Sequence, residues 1–361
     1  MMARKRAVSA TLNHRISLKT LAEHLGLSPA TVSFVLNDAP NRSIPEATRE
    51  RVRTAAKEFG YRPNLIARSL QGMNSRTVGI LLPDLGEGYH SQVLGGAGDV
   101  LMREGYFFFT AHHRHREDLV LEYPQMLDSR GAEGILAIDT HLKVVPRSPT
   151  IAIAGHVHLP GVTNITLNHY KAAELSLVHL YKLGHRHMAY IRGQDISSDS
   201  EARWKATLQV AKELGLRIDP KLVVKLERDI SSPELGYPVV QQLLSQKLRF
   251  TAIVSFNDLS AIGTIRALHD VGLRVPEDVS VIGFDDVQAA GFHVPSLTTI
   301  RQPLRHMGSL GADLLLKSIR GERQPDSVNV EPELIVREST GPASVLLPAK
   351  VRKRSSSQER A

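Results

Sequence analysis

The sequence predicts an all-α helix-turn-helix headpiece followed by an α/β core of two lobes with parallel sheets, and three observations predict it. Residues 17–37 read as two short helices joined at a glycine turn. The first 76 residues carry thirteen Lys and Arg against five Asp and Glu, whereas residues 77–349 hold 27 against 31. From Thr77 onward, short apolar runs alternate with amphipathic helical patterns, the signature of parallel strands joined by helices. A basic front on a mildly acidic body is the charge distribution of a chain that binds phosphate with one domain only.

The first helix carries Leu21, Ala22 and Leu25 on one face, and Gly26 supplies a reversal that a residue with a Cβ resists. Leu27 fills the inside of the turn. Ser28 is a good N-cap, Pro29 suits the first helical position, and Val32, Val35 and Leu36 return an apolar face. The polar side of this second helix presents Ser28, Thr31, Ser33 and Asn37, short groups able to meet phosphate oxygens; such a helix pair places its second member in the major groove of DNA. Residues 41–45 read as a loop and 46–59 as a third helix with Val52, Ala55, Ala56 and Phe59 inward, stopped by Gly60. Residues 61–74 offer about two helical turns, too short to be stable without a partner.

In the body, strands are expected at 77–83, 106–111, 134–138, 150–154, 188–191, 252–255 and 279–284, with helices such as 91–104, 170–183, 202–214 and 258–271 between them. Alternation of this kind means parallel sheets covered on both faces, with enough material for two sheets and a cleft between two lobes.

Composition removes whole classes of function. At 361 residues and 42% hydrophobic, the chain has material for two or three domains. Zero cysteines excludes disulfides, thiolate nucleophiles and cysteine metal sites, and fits a reducing cytoplasm. The basic start is not followed by an apolar signal region, and no window of about 18 apolar residues could span a membrane. His112-His-Arg-His115, His156-Val-His158 and His185-Arg-His187 have metal-like spacing without acidic or cysteine companions, so no metal site and no cofactor are expected. Gly95-Gly-Ala-Gly98 lies inside a helical pattern, away from a strand end, and makes a poor phosphate loop; no P-loop, His-Glu-x-x-His or Gly-x-Ser-x-Gly elbow exists, and no enzyme is expected.

Eight pieces in order, Thr31-Val-Ser-Phe-Val-Leu-Asn37, Tyr61-Arg-Pro-Asn64, Ala67-Arg-Ser-Leu70, Leu183-Gly-His-Arg186, Phe256-Asn-Asp258, 272–286, 297–303 and 334–340, closely resemble the lac-repressor (LacI/GalR) family of bacterial transcription regulators over residues 17–341. The resemblance implies a disordered basic extension (1–16), a DNA-binding headpiece (17–62), a hinge helix and linker (63–76), a core similar to periplasmic sugar-binding proteins (77–341) and a flexible tail (342–361). It implies three crossings between lobes, near Asn168, Gln302 and Gln324, giving a first lobe of about 77–168 and 302–324 and a second of about 169–301 and 325–341. Base readers would be Pro29, Ala30 and Phe34, the last limited to apolar contact, for instance with thymine methyls, or else a packing residue. Leu70 would be the hinge leucine that wedges into the minor groove, and Leu18 and Arg42 complete the candidate DNA contacts.

For the cleft, the resemblance points to Arg203, Asn257 and Asp285, with Tyr89 and His90 at the end of the first strand. A guanidinium fork facing a carboxylate suits a polyhydroxylated ligand. Each has a rival role: Asp285 as a turn cap, Asn257 as the N-cap of the following helix, Arg203 as a surface charge. Departures from the pattern are Ala154-Gly-His156 where relatives often place an acidic residue, and Ser231 where a stacking aromatic is expected; Trp204 either stacks on the ligand or lies in the core. The expected protein is a homodimeric regulator, chiefly a repressor, cytoplasmic and at the nucleoid, that binds operator DNA and a sugar-like effector. A transport solute-binding component lacks a use for residues 17–76, and a sugar-processing enzyme needs a carboxylate pair in the cleft. The tail has no apolar heptads for a tetramer.

Overall fold

The computed structural model describes residues 16–36, 43–61, 74–86, 88–155, 158–227, 232–246 and 248–344. They fall into two compact units, one ending at Ser75 and one starting at Arg76.

The headpiece holds α1 (Leu18–Leu25), α2 (Pro29–Leu36) and α3 (Glu46–Glu58). Ser17 caps α1 by accepting from the Thr20 amide, and Gly26 ends it at φ +66°, where its N–H reaches the Ala22 and Glu23 carbonyls. Such a left-handed C-cap costs glycine no Cβ clash, so the two helices can turn sharply. Their apolar faces meet in a small core of Leu21, Ala22, Val32, Val35, Val52, Ala55 and Ala56.

The core unit contains β1 (Thr77–Leu82), α4 (Tyr89–Arg103), β2 (Phe107–His112), α5 (Glu117–Ser129), β3 (Gly134–Ile138), β4 (Thr150–Ile153), β5 (Val162–Leu167) and α6 (His169–Lys182). Then come β6 (Met188–Arg192), α7 (Ser200–Glu213), β7 (Val223–Lys225), α8 (Gly236–Ser245), β8 (Ala252–Val254), α9 (Asp258–Asp270) and β9 (Ser280–Asp285). Last are α10 (Gln288–Phe292), β10 (Thr298–Arg301), α11 (Leu304–Ile319), β11 (Ser327–Val330) and β12 (Glu333–Ile335). One sheet runs β11-β5-β4-β3-β1-β2 and the other β12-β10-β9-β8-β6-β7. The first is parallel throughout. In the second only β12 is antiparallel, to β10. Strands β1, β3, β4 and β9 are buried along their whole length, as expected of parallel strands covered on both faces.

Sheet membership fixes the crossings. The chain leaves the first sheet after Leu167, returns after Arg301 and leaves again after Val330. The third crossing therefore does not fall near Gln324: β11 still pairs with β5, Ser327 opposite Asn164 through Val330 opposite Leu167, so residues 325–330 belong to the first lobe.

The Gly95-Gly-Ala-Gly98 run is helix, in the middle of α4. A Cβ on Gly96 would stand 1.9 Å from the Arg305 carbonyl oxygen, and one on Gly308 1.9 Å from that of Val93. The glycines thus let α4 and α11 cross at backbone contact. The second lobe repeats the device, with Gly236 against the Ser260 carbonyl and Gly263 against that of Pro233, both 1.9 Å from a would-be Cβ.

Candidate functional site

In the headpiece, burying Val32 and Val35 turns the start of α2 outward, so that Ser28, Pro29 and Ala30 are exposed and Thr31, Ser33 and Phe34 half-buried. The Ser28 hydroxyl accepts from the Thr31 amide at 3.1 Å and shares a 2.8 Å hydrogen bond with the Thr31 hydroxyl, so capping fixes the end that would face a groove. Phe34 is absent from the headpiece core cluster, whereas Leu18 packs partly against it. Asn37, Arg42 and Leu70 lie outside the described residues, as do His156 and Ser231.

Between the two lobes of the core unit lies a cavity of about 100 Å³. Every segment reaching it leaves the carboxyl end of a parallel strand or starts the helix that follows, the position where open α/β sheets hold ligands. From the first lobe come Tyr89 and His90 at the start of α4, His115, and Asp139, which directly follows β3. From the second come Asp199 and Arg203, Phe256 and Asn257 after β8, and Asp285 at the end of β9. All five candidates of the sequence thus line one cavity, although 196 positions separate the first from the last.

Arg203 is not a surface charge. Its Nη1 donates to the Phe256 carbonyl at 2.6 Å and its Nη2 to Asp199 Oδ2 at 2.9 Å, with the two side chains only 12% and 8% exposed. Its guanidinium carbon sits 3.7 Å from the Phe284 ring centroid and 4.5 Å from that of Phe256, two cation–π contacts. Asn257 does cap: its Oδ1 accepts from the Ser260 amide at 2.9 Å, and Ser260 reciprocates, a capping box that fixes α9 at the cavity wall. Asp285 is held at φ +110° and accepts from Gln302 Nε2 at 2.7 Å. Strain of that order at a non-glycine residue is tolerated where surrounding bonds over-determine it.

The lobes are bonded to each other across the cavity. Asp139 Oδ1 accepts from the Ser198 amide at 3.2 Å and its hydroxyl at 2.5 Å, while Oδ2 lies 3.3 Å from His90 Nε2. Burial pushes the Asp139 carboxyl up, but the hydrogen bonds and charge of His90 and the Ser198 hydroxyl outweigh it and leave it below the ordinary range. Burial pushes Asp285 up to about 7 against the pull of Arg203 and Gln302. Tyr89, whose hydroxyl is buried with no hydrogen-bond partner, is raised well above its usual value by burial and then by Asp199, Asp139 and Asp285. It is a donor facing the cavity and awaiting an acceptor.

Asp139, Asp199, Ser198 and Phe256 are functional candidates that the sequence reading missed. Asp199 had a signal, four residues before Arg203 on a helix edge; the Asp139–Ser198 bond joins loops 59 residues apart and had none. Trp204 is half-buried against the second lobe's core: its ring meets Tyr190 edge-on at 5.9 Å and Arg192 stacks on it; it does not line the cavity between the lobes, but lines a neighbouring one with Arg203 and Phe256. Of the histidine pairs, His113 is buried and bonded to Thr140 at 2.9 Å, with burial lowering it to about 4, and His185 bonds Thr251 and the Gly341 carbonyl. Among the described residues no group of His, Cys, Asp and Glu could hold a metal, and no helix is long and apolar enough to cross a membrane.

Comparison with known proteins places both units. Residues 17–64 match the family of bacterial regulatory proteins of the lacI type, and residues 177–340 match a periplasmic binding protein-like domain. The HTH-type transcriptional repressor PurR of Haemophilus influenzae is 30% identical over 334 residues, covering 90% of this chain and 98% of the repressor. The fold matches the lac repressor dimer bound to operator and the anti-inducer ONPF (TM-score 0.80, 24% identity, 91% and 100% of the two chains). It also matches the transcriptional regulator CelR in complex with cellobiose (TM-score 0.65, 26% identity, 90% and 100%). A capped helix-turn-helix unit, a two-lobed core with polar groups gathered between its sheets, and a full-length repressor relative converge on one assignment: the chain belongs to the LacI family and is an effector-regulated, DNA-binding transcriptional regulator.

Proposed function

We propose that this regulator is a cytoplasmic, nucleoid-bound homodimeric repressor that grips a pseudo-palindromic operator and is switched by a sugar or sugar derivative held between its lobes by Arg203, Asp285, Asn257, Tyr89 and His90. The observation that carries the reading is the convergence of these five side chains on one cavity at the strand ends. The cellobiose complex of a structural neighbour supports a polyhydroxylated ligand. Two headpieces are needed because one α2 reads one half-site only. In the first lobe, the edge strand β2 offers Phe107 and Phe109, rings 5.3 Å apart and exposed, as the kind of apolar edge a second copy covers. Ser28, Pro29, Ala30, Thr31, Ser33 and Phe34 are the proposed groove contacts, with Leu18, Asn37, Arg42 and the Leu70 wedge beside them.

An effector shifts operator binding only through differential affinity for two states, with coupling of about 1 to 3 kcal/mol. Selection of genomic fragments by the purified protein, with and without a sugar panel, tests the reading. A preferred promoter fragment whose retention changes with one sugar is expected; equal retention of random duplex overturns it.

A further inference from the structure

We infer that the cleft selects a polyhydroxylated ligand carrying a protonated amine, an amino-sugar-like cation, and excludes anionic sugars such as sugar phosphates and sugar acids. The inference rests on the sugar reading above and deepens it. Asp139 and Asp199 line the cavity as carboxylates, joined by Asp285, which burial raises to about 7 and which a seated cation would draw into its ionised form; set against them are the Arg203 guanidinium and the His90 ring beside Asp139. That guanidinium is already engaged: Arg203 gives one terminal nitrogen to Asp199 and the other to the Phe256 carbonyl, and it lies against two phenyl rings. It neutralises Asp199, and although its Nε–H is left buried without a partner, an anion that approached it would also meet the carboxylates lining the same cavity.

The distribution of charge between the lobes gives the cation a second effect. Asp139 belongs to the first lobe, and Asp199 and Asp285 to the second. The bond from Ser198 to Asp139 draws the residue next to Asp199 against it, so closure brings like charges together. Their mutual influence is visible in the proton affinities: Asp199 raises both Asp139 and Asp285. A cation seated among them relieves that repulsion only when the lobes are together, which is a differential affinity for the closed state and so a route to switching. An anion would face the same groups with the opposite sign. The Tyr89 hydroxyl, buried and without a partner, supplies a donor for a ligand hydroxyl or ring oxygen.

Isothermal titration of the full-length protein with matched sets tests this: glucosamine, galactosamine and mannosamine against their neutral parents, their N-acetyl forms, and the corresponding 6-phosphates and aldonates. One amine is expected to bind at least tenfold more tightly than its neutral parent and N-acetyl form, with no binding by the anions. Asp139→Asn, checked for folding by its melting curve, is expected to weaken the amine at least about fivefold more than it weakens the neutral parent; Asp285→Asn, read by the same ratio, supplies the second variant should Asp139→Asn not fold. Tighter binding by a phosphate, an acid or the neutral parent overturns the charge proposal and leaves the sugar reading standing. Equal losses for amine and parent in the variants overturn it too. Silence from every member of the panel overturns the sugar reading and this one with it.

Discussion

In both lobes a glycine pair lets two helices cross at backbone contact, Gly96 with Gly308 in the first and Gly236 with Gly263 in the second, yet the polar equipment the lobes bring to the cleft is unlike. The second lobe presents groups fixed from several sides: Arg203 bonded twice and stacked twice, Asn257 locked in a capping box, Asp285 tied to Gln302. The first lobe presents Asp139, whose partners are His90 and a residue of the other lobe. One lobe brings side chains held in place by their own neighbours; the other is tied to it across the cavity. The scaffold is shared because packing asks the same of both, and the site is asymmetric because only one side needs to hold its shape while the lobes are apart.

Breaking the shared scaffold is expected to have the largest effect. Gly308→Ala puts a Cβ 1.9 Å from the Val93 carbonyl and is expected to cost about 3 kcal/mol or more of stability, read by chemical denaturation. Gly98→Ala, in the same helix run as Gly96 but with only ordinary contact to Phe108 at 3.6 Å, is expected to be neutral or stabilising by up to about 1 kcal/mol. Equal losses in the two would refute the close crossing.

Next in size is a pH effect in the second lobe. Folding moves the Asp285 carboxyl from an ordinary 3.8 to about 7, so between those values the native chain holds a proton that the unfolded chain has released. Stability from this group therefore falls as pH rises through that window. Asp285→Asn removes the dependence, and its advantage over the parent protein is expected to grow by about 2 to 3 kcal/mol from pH 5 to pH 8. A difference that stays constant with pH would show that Asp285 does not carry the proton.

A smaller effect sharpens the role of Arg203. Arg203→Lys keeps the charge but cannot fork to Asp199 and Phe256 together, and roughly tenfold weaker effector binding is expected with unchanged operator affinity in the absence of effector, measured by titration and by DNA retention. The smallest belongs to the tie between the lobes: Ser198→Ala loses the hydroxyl bond to Asp139 and keeps the amide one, so about 1 kcal/mol of closed-state preference and a few-fold in effector affinity should go. A loss larger than that of Arg203→Lys would reverse the assignment of roles.

Much of this was legible in the residues. Strands β1, β3 and β9 are unbroken apolar runs, and the Ser28-Pro29 start and Gly26 turn carry their own geometry. Helix α4 begins at Tyr89, two residues before the apolar pattern does, which is why two site residues belong to a helix start and not to the end of a strand. Strands β5, β7, β10, β11 and β12 gave no usable pattern. β5 places Asn164 in its middle, where the side chain accepts from the Gly155 amide, and β7 and β12 have three residues each, too few to show a period. β11 is a strand because β5 is beside it, a long-range fact that also moved the third crossing. The five cleft residues were reached through family likeness; their Asp139 and Ser198 companions depend on two loops meeting, and no local spacing encodes that.

The crossings themselves are laced side by side. Thr166 donates to Asn329 at 2.7 Å, and Asn168 to the Glu331 carboxylate at 3.1 Å, binding the first crossing to the third. Neither bond involves a cleft side chain, whereas the second crossing reaches the cleft through Gln302, which donates to Asp285, so it is the first and third crossings that stand apart from the cavity. Substitutions at cleft positions other than Asp285 can then accumulate without disturbing that lacing, and a lineage can change its chemical vocabulary while keeping the same mechanical grammar.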